Sequence, residues 1–431
     1  MTRPRVLVIA EAANPEWASV PLIGWSLTAA LRGVADVHLV THLRNRDAIL
    51  RAGWIEGQDF TAIDSDLVMR PLWKLAERLR MGEGKGWTVL QALSSLGYPY
   101  FEHLLWKQFG PAIRAGDYDI VHRVTPLSPT SNSPIAAKCA RAGVPFVLGP
   151  LNGGVPWPKG FDRERRQERE FLSYVRGLYK LRPGRMRMLK ASRAILTGSR
   201  HTGSEIPARF QDRCIHIPEN AVDPARFTKR AAQDIAPPLR GCFLGRLVPY
   251  KGPDMLIEAA VPLLQSGALV LDIVGAGPME AELRARAAQA GVAEKITFHG
   301  WLPHDRVQDV LAQANLLTFP SIREFGGGVV LEAMALGVVP LICDYAGPAE
   351  LVTPGTGFKL PMGAREQIVA ALRAQLETLA QDPSALPAMG AAARAQVENH
   401  YTWARKAEQI ARVYDWVLRP EEPTPQLLPT P

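Results

Sequence analysis

The chain is poor in cysteine: four in 431 residues, at positions 139, 214, 242 and 343, with no paired spacing. That argues against a disulfide framework and against a cysteine-based metal cluster, and it suits a reducing compartment. Long apolar runs are also missing. No window approaches the ~18 uninterrupted apolar residues that a membrane-crossing helix needs. The run Val6 to Ala10 is too short for a secretory signal and reads as a first strand. Neither a solenoid-type repeat nor an aromatic-basic platform for nucleic acid is present. What remains is a globular composition with 47% apolar residues, enough for two cores at this length.

Charge is unevenly spread. Residues 1–200 hold 29 Lys+Arg against 17 Asp+Glu, while residues 201–431 hold 21 against 25. The first 200 residues therefore carry +12 and the rest −4, which sum to the net charge of +8. A basic half fits an acidic substrate or an anionic membrane surface, and a solvated face is the plainer alternative. Two stretches carry most of it. Val68, Leu72, Leu75 and Leu79 share one helical face among Arg70, Lys74, Arg78 and Arg80. Phe161 to Arg193 mixes many arginines with Phe171, Leu172, Tyr174, Leu178, Tyr179 and Met188. Either could lie against a bilayer or face a core.

Strand-like runs alternate with helical ones, the pattern of parallel sheets covered by helices. Strands are expected at Val6–Ala10, Val37–Thr41, Ile120–His122, Phe146–Leu148 and Ala194–Thr197. In the second half they are expected at Cys242–Leu244, Val270–Val274, Ile296–Phe298, Leu316–Phe319 and Val339–Ile342. Helices are expected at Met255–Leu264, Met279–Ala290, Asp305–Ala314 and Tyr401–Leu418. The fold class is α/β, with two Rossmann-like domains that divide near 215–220, where Pro218 breaks a short strand. Ligands of such sheets bind at the carboxyl ends of the strands.

Two motifs stand at such ends. Gly245-Arg246-Leu247 with Lys251-Gly252 follows a strand and offers two cations. Glu324-Phe325-Gly326-Gly327-Gly328-Val329-Val330-Leu331-Glu332 places two carboxylates eight positions apart around a glycine turn that opens a helix. Bare backbone N–H groups and a helix N-terminus suit a phosphate, and a short acid one turn in can reach a sugar hydroxyl. Together they suggest a nucleotide sugar. Gly275-Ala276-Gly277-Pro278 lacks the third glycine of a dinucleotide fingerprint and reads as a tight strand-to-helix turn beside the nucleotide.

The pair of motifs resembles the retaining glycosyltransferases of family 4, which have the GT-B fold: two Rossmann-like domains facing a central cleft, with a C-terminal helix crossing back to the first. The likeness covers roughly 215–400 and includes Ile217-Pro218-Glu219-Asn220-Ala221-Val222-Asp223. It implies an N-terminal acceptor domain over 1–218 plus the returning helix 401–419, a donor domain over 219–400, and a disordered proline-rich tail over 420–431. By the same resemblance Arg246 and Lys251 hold the donor diphosphate, Glu324 stands near the donor sugar, and Glu332 takes the ribose hydroxyls. Gly245, Gly326, Gly327, Gly328, Val329 and Val330 complete the donor site, with the amides of Gly327 to Val330 facing the ligand. No metal or cofactor is implied, and the donor is of UDP or GDP type.

The N-terminal half matches less well. Asp119-Ile120-Val121-His122 resembles the family's strand, which makes His122 a catalytic candidate, with Val124 where many members have a second His and Thr125 a possible substitute. Asn14 to Pro21 replaces the family's Gly-Gly loop. Asn14, Glu16 and Trp17 there, with Asn152 and Trp157 in the loop Leu151–Pro158, are candidates for acceptor binding. The resemblance implies a glycan or lipid-linked acceptor in polysaccharide or glycoconjugate assembly, and a cytoplasmic protein that docks peripherally on the inner face of a membrane. Two alternatives stay open: a nucleotide-sugar epimerase of the same fold, and a non-catalytic sugar-binding module.

Overall fold

The computed structural model describes residues 3–68, 70–71, 87–153, 155–167, 183–231, 235–419 and 421–428. The chain forms two compact units. One comprises Met1–Gly154, Arg169–Glu219 and Trp403–Thr430; the other comprises Val155–Glu168 and Asn220–Thr402.

The first unit is built on seven strands: β1 (Arg5–Ala10), β2 (Asp36–His42), β3 (Phe60–Ile63), β4 (Ile120–Thr125), β5 (Phe146–Leu151), β6 (Ala194–Thr197) and β7 (Cys214–His216). They pair in parallel in the order β3-β2-β1-β4-β5-β6-β7. Side chains alternate across a strand, so a sheet covered on both faces needs apolar residues at consecutive positions. In β1, Val6, Val8 and Ala10 enter one core while Leu7 and Ile9 enter the other. The first core is closed by the helices Val20–Leu31 and Trp403–Leu418. In the latter, Ala407, Ile410, Val413, Tyr414 and Val417 recur at helical spacing and are buried. Residues 421–428, expected as disordered tail, lie against this unit. Leu427 enters the core, the Trp416 indole N–H donates to the Glu422 carbonyl, and Thr424 Oγ1 donates to the Asp212 carbonyl. Prolines lower the entropy cost of ordering such a segment, and one buried leucine adds apolar contact.

The second unit has six strands: β8 (Leu239–Leu244), β9 (Leu269–Val274), β10 (Ile296–Gly300), β11 (Leu316–Phe319), β12 (Val339–Cys343) and β13 (Phe358–Leu360). They too are parallel, in the order β10-β9-β8-β11-β12-β13. The ten expected strands are all present. The short edge strands β3, β7 and β13 were not among them: they span four, three and three residues, too few for a period to show. The helix expected over Asp305–Ala314 is confined to Val307–Leu311.

Segment Val155–Glu168, expected with the N-terminal domain, belongs to the second unit. The expected amphipathic face at Leu72–Leu79 and the heart of the basic stretch, 168–182, lie outside the described residues. Among the described residues no helix is long and apolar enough to cross a membrane.

Candidate functional site

In the second sheet β8 and β11 are neighbours from which the chain order departs in opposite directions. This is the switch point where open parallel sheets take ligands. The loop after β8 carries Arg246 and the short turn Pro249–Lys251. The loop after β11 carries Ser321 to Gly327 and leads into the helix Gly328–Leu336. The two loops are tied together: the Ile322 amide and Ser321 Oγ both donate to the Tyr250 carbonyl, at 3.0 and 3.2 Å.

Lys251 and Glu324, which the sequence put in one site, form an ion pair here, with Lys251 Nζ donating to Glu324 Oε2. The ammonium also lies 5.0 Å from the Phe319 ring and 5.6 Å from the Tyr250 ring. Burial pushes the Lys251 ammonium down to about 7, and the positive charges of Arg246 and then Arg323 push in the same direction; the Glu324 carboxylate opposes them. Lys251 thus lies against one carboxylate and in the field of two further cations.

Arg323 was not singled out by the sequence. It is buried, its Nε donates to the Val155 carbonyl at 3.2 Å, and its guanidinium stacks over Trp157 at 5.1 Å and Phe325 at 5.0 Å. Trp157 also meets Tyr250 edge-on at 6.0 Å, and Tyr345 Oη donates to the Pro156 carbonyl at 2.9 Å. Trp157 is therefore a packing residue of the second unit, with Arg323 over its ring and Tyr250 set perpendicular to it. This corrects its reading as an acceptor residue of the first.

Gly327 caps the helix at φ +62°, a conformation that glycine adopts without strain. The first-turn amides of Gly328 and Val329 leave the helix N-terminus polar, but the Val330 amide donates to the Gly327 carbonyl and is spent inside the helix. Glu332, one turn further on, accepts from His304 Nε2 at 2.8 Å. His304, also missed by the sequence reading, comes from the loop after β10. The rule that strand ends carry ligand groups would have flagged it. The Gly275-Ala276-Gly277-Pro278 turn packs directly on the β8 loop: a Cβ at Gly275 would fall 1.9 Å from the Gly245 carbonyl oxygen. Close backbone approach explains that glycine without a dinucleotide.

The first unit places its candidates differently. His122 is fully buried in β4, between Tyr414 Oη at its Nδ1 and the Gly149 carbonyl at its Nε2, both at 2.7 Å. Burial lowers its pKa to about 4, so the ring is neutral, donating from Nε2 and accepting at Nδ1. It is a core histidine, not a catalytic one. Thr125 Oγ1, the possible substitute, donates to the Ala12 carbonyl and accepts from the Ala12 amide. Asn14 is buried and accepts from the Glu16 amide, Glu16 pairs with Arg51 at 2.7 Å, and Asn152 Nδ2 donates to Glu219. Trp17 stands exposed. Of the acceptor candidates, only Trp17 presents a side chain without a described role in the fold.

Residues 228–395 match the family model "Glycosyl transferases group 1". A GDP-mannose-dependent monoacylated alpha-(1-6)-phosphatidylinositol monomannoside mannosyltransferase of Corynebacterium glutamicum is 33% identical over 218 residues, 46% of this chain and 55% of the relative. A 2-deoxystreptamine glucosyltransferase of Streptomyces kanamyceticus is 29% identical over 222 residues, 45% and 57% of the two chains. The chain thus spans about half the length of the curated relatives it matches. The Anabaena protein HepE, solved in complex with UDP and glucose, superposes with a TM-score of 0.60 at 16% identity, over 96% of this chain and 100% of that one. The two parallel Rossmann-like sheets and this likeness define the GT-B fold. Within it, the matched segment holds the Lys251–Glu324 pair and the Glu332–His304 pair together.

Proposed function

We propose that this chain is a glycosyltransferase that moves a sugar from a nucleoside diphosphate sugar to a hydroxyl acceptor, with retention of anomeric configuration as in family 4. The observation that carries the reading is the Lys251–Glu324 pair at the switch point, with Arg246 and Arg323 in electrostatic range of Lys251. A glycosyl–phosphate bond breaks as charge builds on the leaving diphosphate, and fixed cations stabilise that charge without a metal ion. In the transfer, the bond from the anomeric carbon to the diphosphate oxygen breaks, the acceptor oxygen bonds to that carbon on the same face, and its proton passes to the departing phosphate. Arg246 and Lys251 hold the diphosphate, Glu324 faces the sugar, and Glu332 binds the ribose.

Relatives named for mannosyl transfer to a phosphatidylinositol monomannoside and for lipopolysaccharide core biosynthesis in Rhizobium meliloti support a glycan or lipid-linked acceptor. They also support peripheral work at a membrane face. A thermal-shift screen against UDP, GDP, ADP and their sugars tests the donor class, because a ligand of the folded state raises Tm with the logarithm of its concentration. A shift with one nucleotide that Arg246→Ala removes is the expected result; no shift with any nucleotide in folded protein would refute the reading.

A further inference from the structure

We propose that His304 is a positioning residue that aims the Glu332 carboxylate at a cis-diol of the ligand, the ribose of a nucleoside diphosphate. The proposal rests on the donor-site reading above and adds a residue to it. Three segments remote in sequence converge here: Phe227, the loop at His304, and Glu332 on the helix Gly328–Leu336. The imidazole stands edge-on to the Phe227 ring, 5.5 Å between centroids at 86°, and Phe227 is buried. Its Nε2 lies 2.8 Å from Glu332 Oε1. A carboxylate accepts, so Nε2 carries the proton, an assignment that follows from the bond. Nδ1 is buried and has no hydrogen-bond partner among the described residues. The ring's one polar anchor there is Glu332, so its hydrogen bonding serves the carboxylate and no other element.

The chemistry of diol binding needs that service. A glutamate side chain has three rotatable bonds, and a carboxylate that must accept from two adjacent hydroxyls has to be held in one orientation. Pinning Oε1 from one side leaves Oε2 and the second lone pair of Oε1 for the ligand. Glu332 keeps 17% of its side chain exposed and His304 37%, so the pair is reachable. The ribose contacts are the same before and during transfer. Loss of their alignment therefore falls on the donor KM and leaves kcat nearly unchanged.

The test compares ribose with its 2′-deoxy form. Calorimetry measures Kd for UDP, GDP and their 2′-deoxy counterparts on wild-type protein, His304→Ala and His304→Gln, each checked for a cooperative thermal transition. The wild type should prefer the ribonucleotide. His304→Ala should weaken the ribonucleotide about tenfold and leave the deoxynucleotide nearly unchanged. His304→Gln, which keeps an N–H donor, should recover most of the preference. Equal losses on both forms, or none, would overturn the positioning role while the donor site stands. Failure of folded wild-type protein to bind any of the four would remove the donor reading and this proposal with it. Should His304→Ala lose its transition, His304→Leu keeps the packing on Phe227, loses the donor and is read by the same ratio.

Discussion

Two lysines, the half-buried Lys251 in the second unit and the fully buried Lys406 in the first, are both pushed down to about 7 by desolvation. Their neighbours are opposite. Lys251 faces Glu324 but lies in the field of Arg246 and Arg323, which lower it further. Lys406 donates to the Pro218 carbonyl, and the charge it feels is that of Glu219, which raises it. Glu219 is itself buried and accepts from Asn152. One lysine lies against a carboxylate in the field of two further cations. The other is held by a backbone carbonyl beside a buried acid. A shifted titratable group takes its meaning from the charges and partners around it.

The largest effects should separate these two roles. Lys251→Ala and Glu324→Ala are each expected to cut transfer by about 10³-fold, the loss typical of a group that stabilises developing charge, with a thermal transition close to wild type. Near-normal turnover in either would break the site assignment. Lys406→Met should do the reverse. It removes a buried ammonium that donates to the Pro218 carbonyl and feels the Glu219 charge, and should cost about 3–5 kcal/mol of stability in chemical denaturation, with turnover per folded molecule unchanged. The double variant Lys406→Met, Glu219→Gln should recover most of that loss. If the double variant is no more stable than the single, the two groups are not coupled and the contrast with Lys251 fails.

The same contrast explains what the sequence could show. The meeting of Lys251 and Glu324 was legible because both lie in loops after strands that the apolar pattern had located. Arg323 and His304 were not, because their meaning comes from Val155, Trp157, Phe227 and Glu332, which are distant in sequence. In the first unit, His122 and the asparagines were chosen for polar identity near strand ends. What decides their role is burial and partner, and the partner of His122 Nδ1 lies 292 positions away. The sheets themselves were legible down to ten strands because both faces are covered, which forces unbroken apolar runs. The edge strands β3, β7 and β13 carry no such run.

His122 extends the comparison to a buried group with no charge beside it. Its pKa falls from the usual 6.5 to about 4 in the folded chain. A depressed folded pKa means that the unfolded chain binds the extra proton between those values. Stability is therefore fully present above pH 6.5 and is lost as pH falls toward 4, by about 3 kcal/mol for this group. Denaturation midpoints from pH 7 to 4 should show that decline, and His122→Gln should flatten it while lowering stability at pH 7. An unchanged slope in the variant would mean that the imidazole is accessible and charged in the native state.

The smallest expected effect sharpens the contrast most, because it asks whether Lys251 is waiting for an anion. A diphosphate placed beside it favours the ammonium, so binding raises a pKa of about 7. Above that value the free protein has lost the proton and must take it up on binding. Affinity for a nucleoside diphosphate should then weaken by up to about tenfold per pH unit as pH rises from 7 toward the bound-state pKa, and level off below 7. Calorimetry at pH 8 in buffers of different ionisation enthalpy should report uptake of a fraction of a proton, and Lys251→Met should abolish it. Lys406, which belongs to the first unit and donates to the Pro218 carbonyl, should contribute nothing to that uptake. Proton uptake that persists in Lys251→Met would place the linkage on another group and remove the distinction between the two lysines.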